Sequence, residues 1–380
     1  MNRFIKKINT LPLIHQSFVH KPFILNLLDT FHIIYRDLDL ESITYTTNKD
    51  RKRGVLLIEE NLKNAPNDIK KWCIKHFLYD MNVFYTIKGK QIQIVFSLFS
   101  GYEEMLQTYL SYIPWILHWF TLAYHFSEKK CSYPATLFLY LTPFKKMLPE
   151  QGTIIEELHA NTAYTWKCKP KNKIIVFRQE EWFKVLIHES FHFFNFEHFK
   201  NADETSLKHC FPLYVPLYIG EAYGEFWARV LNCFYCAYFM DKQLSRKSDI
   251  LNHFYRFMYM ETMFSCYQAA KVLKHINLTY EDLYSKTKEA IERRKQYKEK
   301  TNVFCYYILS AVLMNEYPMV LSWCYSNNNK LFNMELKHSQ LFVELVKKIC
   351  KTSSLQHNLS VLGDVEIHDK SLRMTLIDFL

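Results

Sequence analysis

Glycine is scarce in this chain, with seven among 380 residues beside 30 phenylalanines and 26 tyrosines, far from average usage. Long apolar runs are missing as well. No stretch reaches the roughly 20 residues that a membrane-spanning helix needs. Val303 to Met314 is apolar but stops at Asn315 and Glu316, and Tyr112 to Tyr124 carries Pro114 and His118. Both read as buried helices, so no transmembrane segment is expected. The basic start, Asn2 to Asn9, is followed by no long apolar segment, so no secretory leader is expected. The ten cysteines show no framework-like spacing, which argues against a disulfide scaffold and for reduced thiols in a cytoplasmic setting. No internal repeat or low-complexity segment occurs. The net charge is +10, yet the basic residues form no single arm. Lys49 to Arg53 is a small cluster, and Lys286 to Lys300 interleaves its cations with Glu289, Glu292 and Glu299. A solvated surface accounts for both, so nucleic acid is not the expected partner.

What is present falls into three stretches. Residues 1–130 read as an N-terminal mixed α/β lobe. A helix starts near Ala65-Pro66-Asn67-Asp68, with Asn67 or Asp68 as its cap and Ile69, Trp72, Cys73 and Phe77 on one face. Gln91 to Phe99 alternates as a strand. Glu103 to Phe126 reads as helix, kinked or split by Pro114. Residues 131–245 hold two continuous apolar runs, Thr136 to Leu141 and Lys173 to Arg178, which suit buried strands. Leu158 to Trp166 alternates weakly, like an edge strand. A helix follows from about Glu180, its first acids suiting the positive end of the helix dipole. Asn201 to Pro216 reads as loop, and a second helix runs from Leu217 to Met240. Residues 246–380 read as a helical C-terminal lobe: Asp249 to Lys274, Thr279 to Lys300, Asn302 to Tyr325 and Leu331 to Cys350.

The first long helix of the middle stretch carries His188-Glu189-Ser190-Phe191-His192. Residues four apart share a helix face, so His188 and His192 can point two imidazoles at one ion. Glu189 stands beside them as a base. A hydrolytic zinc site keeps three protein ligands and one open position. The third is offered by Gly220-Glu221-Ala222-Tyr223-Gly224-Glu225, where Glu221 and Glu225 also share a face. Residues 193–220 separate the two motifs, room for a loop and a second helix. One carboxylate can ligate the metal while the other accepts a proton from a ligand imidazole and fixes its tautomer. Cys233-x-x-Cys236 sits among Phe234, Tyr235 and Tyr238, so it reads as core packing. His198 and His209 read as loop residues.

This pair of motifs resembles the gluzincin group of zincin metallopeptidases, in which His-Glu-x-x-His is followed on the next helix by Glu-x-x-x-Asp. The resemblance implies one Zn2+ per chain, held by His188, His192 and Glu221, with Glu189 as the general base. Glu225 stands where the family more often has Asp. Its longer side chain leaves open which of the two glutamates is the ligand. Zincins place a small sheet before the active-site helix, and Asn161-Thr162-Ala163 loosely resembles their substrate-pairing edge segment. The run Thr136 to Ala228 also resembles uncharacterised metallopeptidase-like proteins of large DNA viruses. The abundance of Lys, Asn, Ile, Phe and Tyr resembles coding in an A+T-rich genome such as theirs, which would place the chain in host cytoplasm or virion. His253, Tyr306 and Tyr307 are candidate donors to the oxyanion formed on a peptide or protein substrate. The expected fold is α+β and helix-rich, with a zincin-like core. The rivals are a catalytically silent scaffold of the same fold, a nucleic-acid-associated protein and a metal-dependent hydrolase of another bond.

Overall fold

The computed structural model describes residues 21–240, 246–364 and 369–378. The basic start Asn2 to Asn9 lies outside them. The fold is α+β: helices predominate around one mixed sheet of six strands. The chain divides into two compact units, and each is discontinuous in sequence. A sheet unit comprises Pro22–Lys145 and Asn161–Phe196. A helical unit comprises Lys146–Ala160 and the described part of Glu197–Leu380.

The sheet contains β1 (Thr44–Asn48), β2 (Phe77–Ile87), β3 (Lys90–Phe99), β4 (Ala135–Thr142), β5 (Ala163–Tyr164) and β6 (Lys173–Arg178), in the order β1-β2-β3-β4-β6-β5. β2 and β3 form a hairpin whose two-residue connection, Lys88-Gly89, has φ +48° and +74°. Positive φ at both positions matches the twist of the flanking strands. β4 runs parallel to β3 and to β6, and β5 closes the series antiparallel to β6. Parallel strands covered on both faces lose their polar alternation, and that is why Thr136–Leu141 and Lys173–Arg178 are continuous apolar runs.

Alternate residues of β3 serve opposite faces. Val95 and Phe99 join Ile58, Leu62, Ile69, Cys73, Phe77, Phe138, Tyr140, Ile175 and Phe177 in one apolar cluster. The helices Arg51–Asn61 and Asn67–His76 cover that face. Gly54 is required there, because a Cβ at this position would collide with the ring of Phe77. On the other face Phe96 stacks on Tyr109 of the helix Met105–Phe126, with centroids 5.3 Å apart. This helix runs unbroken through Pro114, whose surroundings are apolar and buried. Of the kink or split expected at Pro114, the split does not occur.

Other expectations need correction. The N-cap position of Asn67–His76 is Pro66, with no side-chain cap. Of Leu158 to Trp166, only Ala163–Tyr164 is strand, and Glu157–Ala160 is one helical turn. Asn201–Lys208 is a helix rather than a loop, and the Lys200 amide donates to Asp203 at 2.6 Å across its first turn. Thr279 to Lys300 is helical only over Lys288–Arg294, where Thr287 accepts from the Ala290 amide as cap, and over the short 3-10 turn Glu281–Leu283. Cys131 and Cys168 are joined as a disulfide, while the other eight cysteines are free thiols. The expectation of reduced thiols therefore fails for that pair.

In the helical unit, Ile219–Phe239 packs on Lys247–His275, which also meets Ser310–Asn315 and Ser353–Gly363. A π-helical turn, Phe304–Leu309, precedes Ser310–Asn315 and packs on Ile219–Phe239. No single helix among the described residues is long and apolar enough to cross a membrane. Phe304–Asn315 and Tyr317–Asn327, which together are long and apolar enough, meet at a bend of 86°.

Candidate metal centre

The helix Trp182–Phe194 carries the two histidines. Glu181 precedes it at φ +60°, and the helix closes on Asn195 at φ +56°. Asn tolerates this left-handed conformation better than most residues. The Asn195 amide donates to the His192 carbonyl at 3.0 Å, and the Phe196 amide donates to the Phe191 carbonyl at 2.9 Å. This pair of bonds ends a helix by turning the chain back on its last carbonyls. Every residue of the helix except His192 is buried. A helix apolar almost all round packs on all sides, and this one lies against β6, β5 and the helix Met105–Phe126. Trp119 of that helix donates from Nε1 to Ser190 Oγ at 2.9 Å, and Ser190 donates to the Leu186 carbonyl at 2.7 Å. Phe194 packs edge-on against Tyr124, centroids 4.9 Å apart. These contacts fix the rotation of the helix and so the direction of its polar stripe.

On that stripe His188 Nε2 and His192 Nε2 approach to 3.2 Å, with the rings 80° apart in plane. Two imidazole nitrogens at this spacing face a common point. Glu189 is 7% exposed and His188 5%. Polar groups so far out of water need partners.

Glu221 lies in the first turn of Ile219–Phe239. Among the described residues, His188, His192 and Glu221 form a group whose ligand atoms all lie within 4.8 Å of one another. Glu225 is not in it. Its carboxylate is 1% exposed and accepts from Arg229 Nε at 2.9 Å, one turn further along the same helix. Of the two acids, Glu221 belongs to the group with the histidines, and Glu225 is paired with Arg229. The donor set is two imidazoles and one carboxylate, and it could hold a metal ion.

Glu197 had no motif in the sequence to mark it. This carboxylate is 5% exposed and its Oε2 lies 3.0 Å from where a Cβ on Gly220 would stand. Gly220 therefore admits a buried acid directly beside the residue that precedes Glu221. The signal available in sequence was only the glycine at that helix start.

The remaining candidates are placed as follows. Thr162 and Ala163 lie at the β5 end of the sheet: the Phe177 amide donates to the Thr162 carbonyl at 2.9 Å, and Ala163 pairs with Val176. The Asn161 carbonyl accepts from Arg178 Nε at 2.9 Å. Tyr307 is fully buried and donates its hydroxyl to the Leu372 carbonyl at 2.7 Å, which commits it to the helical unit's own packing. Tyr306 lies on the π-helical turn, and its carbonyl accepts from Arg229 at 3.4 Å. His253 is half-buried and stacks on Phe257 at 6.3 Å. The His198 ring pairs with the Met334 carbonyl at 3.1 Å. His209 is exposed just after the helix Asn201–Lys208. Cys233 and Cys236 are buried free thiols pushed well up by burial, as core cysteines are.

Comparison with family models, with curated proteins and with solved structures finds no match for this chain.

Proposed function

We propose that the chain is a zinc-dependent metallopeptidase, with His188, His192 and Glu221 holding the ion and Glu189 as general base. The observation that carries this is the convergence of two imidazoles and one carboxylate within 4.8 Å. Bound zinc supplies a Lewis acid that brings the pKa of water toward neutrality and polarises a carbonyl. Glu189, adjacent to His188 and largely shielded from solvent, takes the proton of the attacking water and hands it to the leaving amine.

What supports a peptide as substrate is the sheet. β5 is its last strand, and the histidine helix packs against β5 and β6. An extended peptide added to such an edge gains main-chain hydrogen bonds whatever its sequence. Asn161, Thr162 and Ala163 would then line the backbone of the substrate.

Zinc content and peptide hydrolysis, measured on the same preparations, test the proposal. Glu189→Gln should retain zinc and lose roughly 10²–10⁴-fold in hydrolysis. His188→Ala should lose zinc and hydrolysis together. Equal hydrolysis by wild type and Glu189→Gln rejects the mechanism. Zinc without any peptide hydrolysis in wild type returns the chain to the silent-scaffold alternative.

A further inference from the structure

Cys210 and Cys350 are far apart in sequence and adjacent in the helical unit. Their sulfurs lie 2.8 Å apart across 140 residues of chain. That is closer than unbonded sulfurs ordinarily rest and about 0.8 Å beyond a covalent S–S bond. Cys210 follows the helix Asn201–Lys208, and Cys350 stands at the C-terminal cap of Ser339–Ile349. The two helices are already tied where the sulfurs meet. Lys347 Nζ donates to Ser206 Oγ at 2.7 Å, and Gln340 Nε2 reaches the same hydroxyl at 3.1 Å. A covalent bond therefore needs little movement of either helix.

We infer that Cys210 and Cys350 form a reversible dithiol site that accepts oxidising equivalents from low-molecular-weight disulfides, with Cys210 as the attacking thiol and Cys350 as the resolving one. The two thiols differ in the way this division needs. Cys210 is partly exposed, whereas Cys350 is buried. The Cys350 thiol beside it, together with the ammonium groups of Lys351 and Lys347, holds Cys210 below the ordinary thiol range. Cys350 is pushed above that range by its hydrogen bond with Cys210 and by burial. The thiolate is the nucleophile in exchange, so attack begins at Cys210.

The chemistry balances in two displacements. Cys210 thiolate attacks one sulfur of a glutathione-type disulfide, whose S–S bond breaks and whose second half leaves as a thiolate that takes up a proton. Cys350 then gives its proton to solvent, and its sulfur attacks the Cys210 sulfur of the mixed disulfide. The half held on Cys210 leaves as a thiolate and takes up a proton. Two protein thiols are oxidised by two electrons, and one small disulfide is reduced to two thiols. The pair is independent of the proposed metal centre.

The test uses the whole chain, equilibrated with oxidised glutathione, quenched in acid and alkylated. Peptide mass spectrometry then maps every cysteine. In wild type a Cys210–Cys350 cross-link should appear, and the free thiols should fall from eight to six. Cys350→Ser should trap glutathione on Cys210, and Cys210→Ser should leave Cys350 alkylated and without glutathione. Full alkylation of both cysteines in wild type overturns the inference, and that arm requires no variant to fold. A cross-link in wild type with glutathione trapped on Cys350 in Cys210→Ser, but not on Cys210 in Cys350→Ser, overturns the assignment of the attacking thiol.

Discussion

The two compact units bury polar groups in different ways. In the sheet unit most of the buried polar pairs are neutral or singly bonded. Asn61 donates to the Tyr140 hydroxyl at 2.8 Å, Trp119 to Ser190 at 2.9 Å and Ser97 to Asp80 at 2.6 Å. His118 meets the Phe31 carbonyl at 3.0 Å. Arg178, one of several buried charged residues of this unit, donates to the carbonyls of Asn161 and Lys145. The helical unit buries an ionic network instead. Arg229 is bonded to Glu225, to Ser265 and to the Tyr306 carbonyl. Glu261 accepts from Thr375 and from the Leu376 amide, each at 2.9 Å. Lys271, lowered to about 8 by burial, donates to the Ser371 carbonyl at 2.7 Å. The difference concerns how each motif is held. The histidine helix is held by aromatic packing and the Trp119–Ser190 bond. The glutamate helix is oriented by charges one turn beyond Glu221. The first should fail through cavities and lost bonds, the second through uncompensated charge.

The largest expected effect is in the helical unit. Arg229→Met leaves Glu225 without its buried cation and Glu261 without a neighbouring positive charge, and should cost about 3–5 kcal/mol in urea unfolding. A loss below about 1 kcal/mol would show that the network is not what holds that helix. Next comes pH. Burial lowers His118 to about 4, so the unfolded chain takes up that proton first. Stability should fall as pH drops from about 6.5 toward 4, by about 3 kcal/mol from this residue, and His118→Gln should flatten that limb. Glu299 has the opposite sign. Burial raises it to about 7, so its contribution is present below about 4.5 and is lost as pH rises through 7. Glu299→Gln should flatten that second slope. An unchanged pH profile in both variants would remove the titration part of the comparison. The smallest effect expected is Ser190→Ala, which strands the Trp119 N–H in the sheet unit at about 1–3 kcal/mol. A neutral outcome there would mean that packing alone fixes the histidine helix.

Much of this was legible in the residues. β6 coincides with the apolar run Lys173 to Arg178, and β4 extends Thr136 to Leu141 by one residue at each end. Doubly covered strands need apolar residues throughout, and little else explains such runs. The two motif helices were legible because both alternate aromatic and aliphatic residues at helical spacing. The helix Asn201–Lys208 was not, because only Asp203 and Leu207 are buried in it and so short a contact leaves no periodicity. Thr279 to Lys300 was over-read as helix, since a charged stretch fits a helical surface whether or not Ser285 and Thr287 interrupt it. The Cys131–Cys168 pairing had no sequence signal, as its partners meet only after β4 and β6 are in place. The interleaving of the units was likewise out of reach, because segments 146–160 and 161–196 are sorted by long-range packing. The family pattern puts Glu221 first as ligand and leaves Glu225 as the alternative; the pairing of Glu225 with Arg229, four residues on, had no sequence signal.

The most direct test of the central claim is elemental analysis of purified wild type, Glu221→Gln and Glu225→Gln. One zinc per chain in wild type, lost in Glu221→Gln and kept in Glu225→Gln, is the expected result. No zinc in wild type, or zinc that survives Glu221→Gln and disappears in a folded Glu225→Gln, would contradict it.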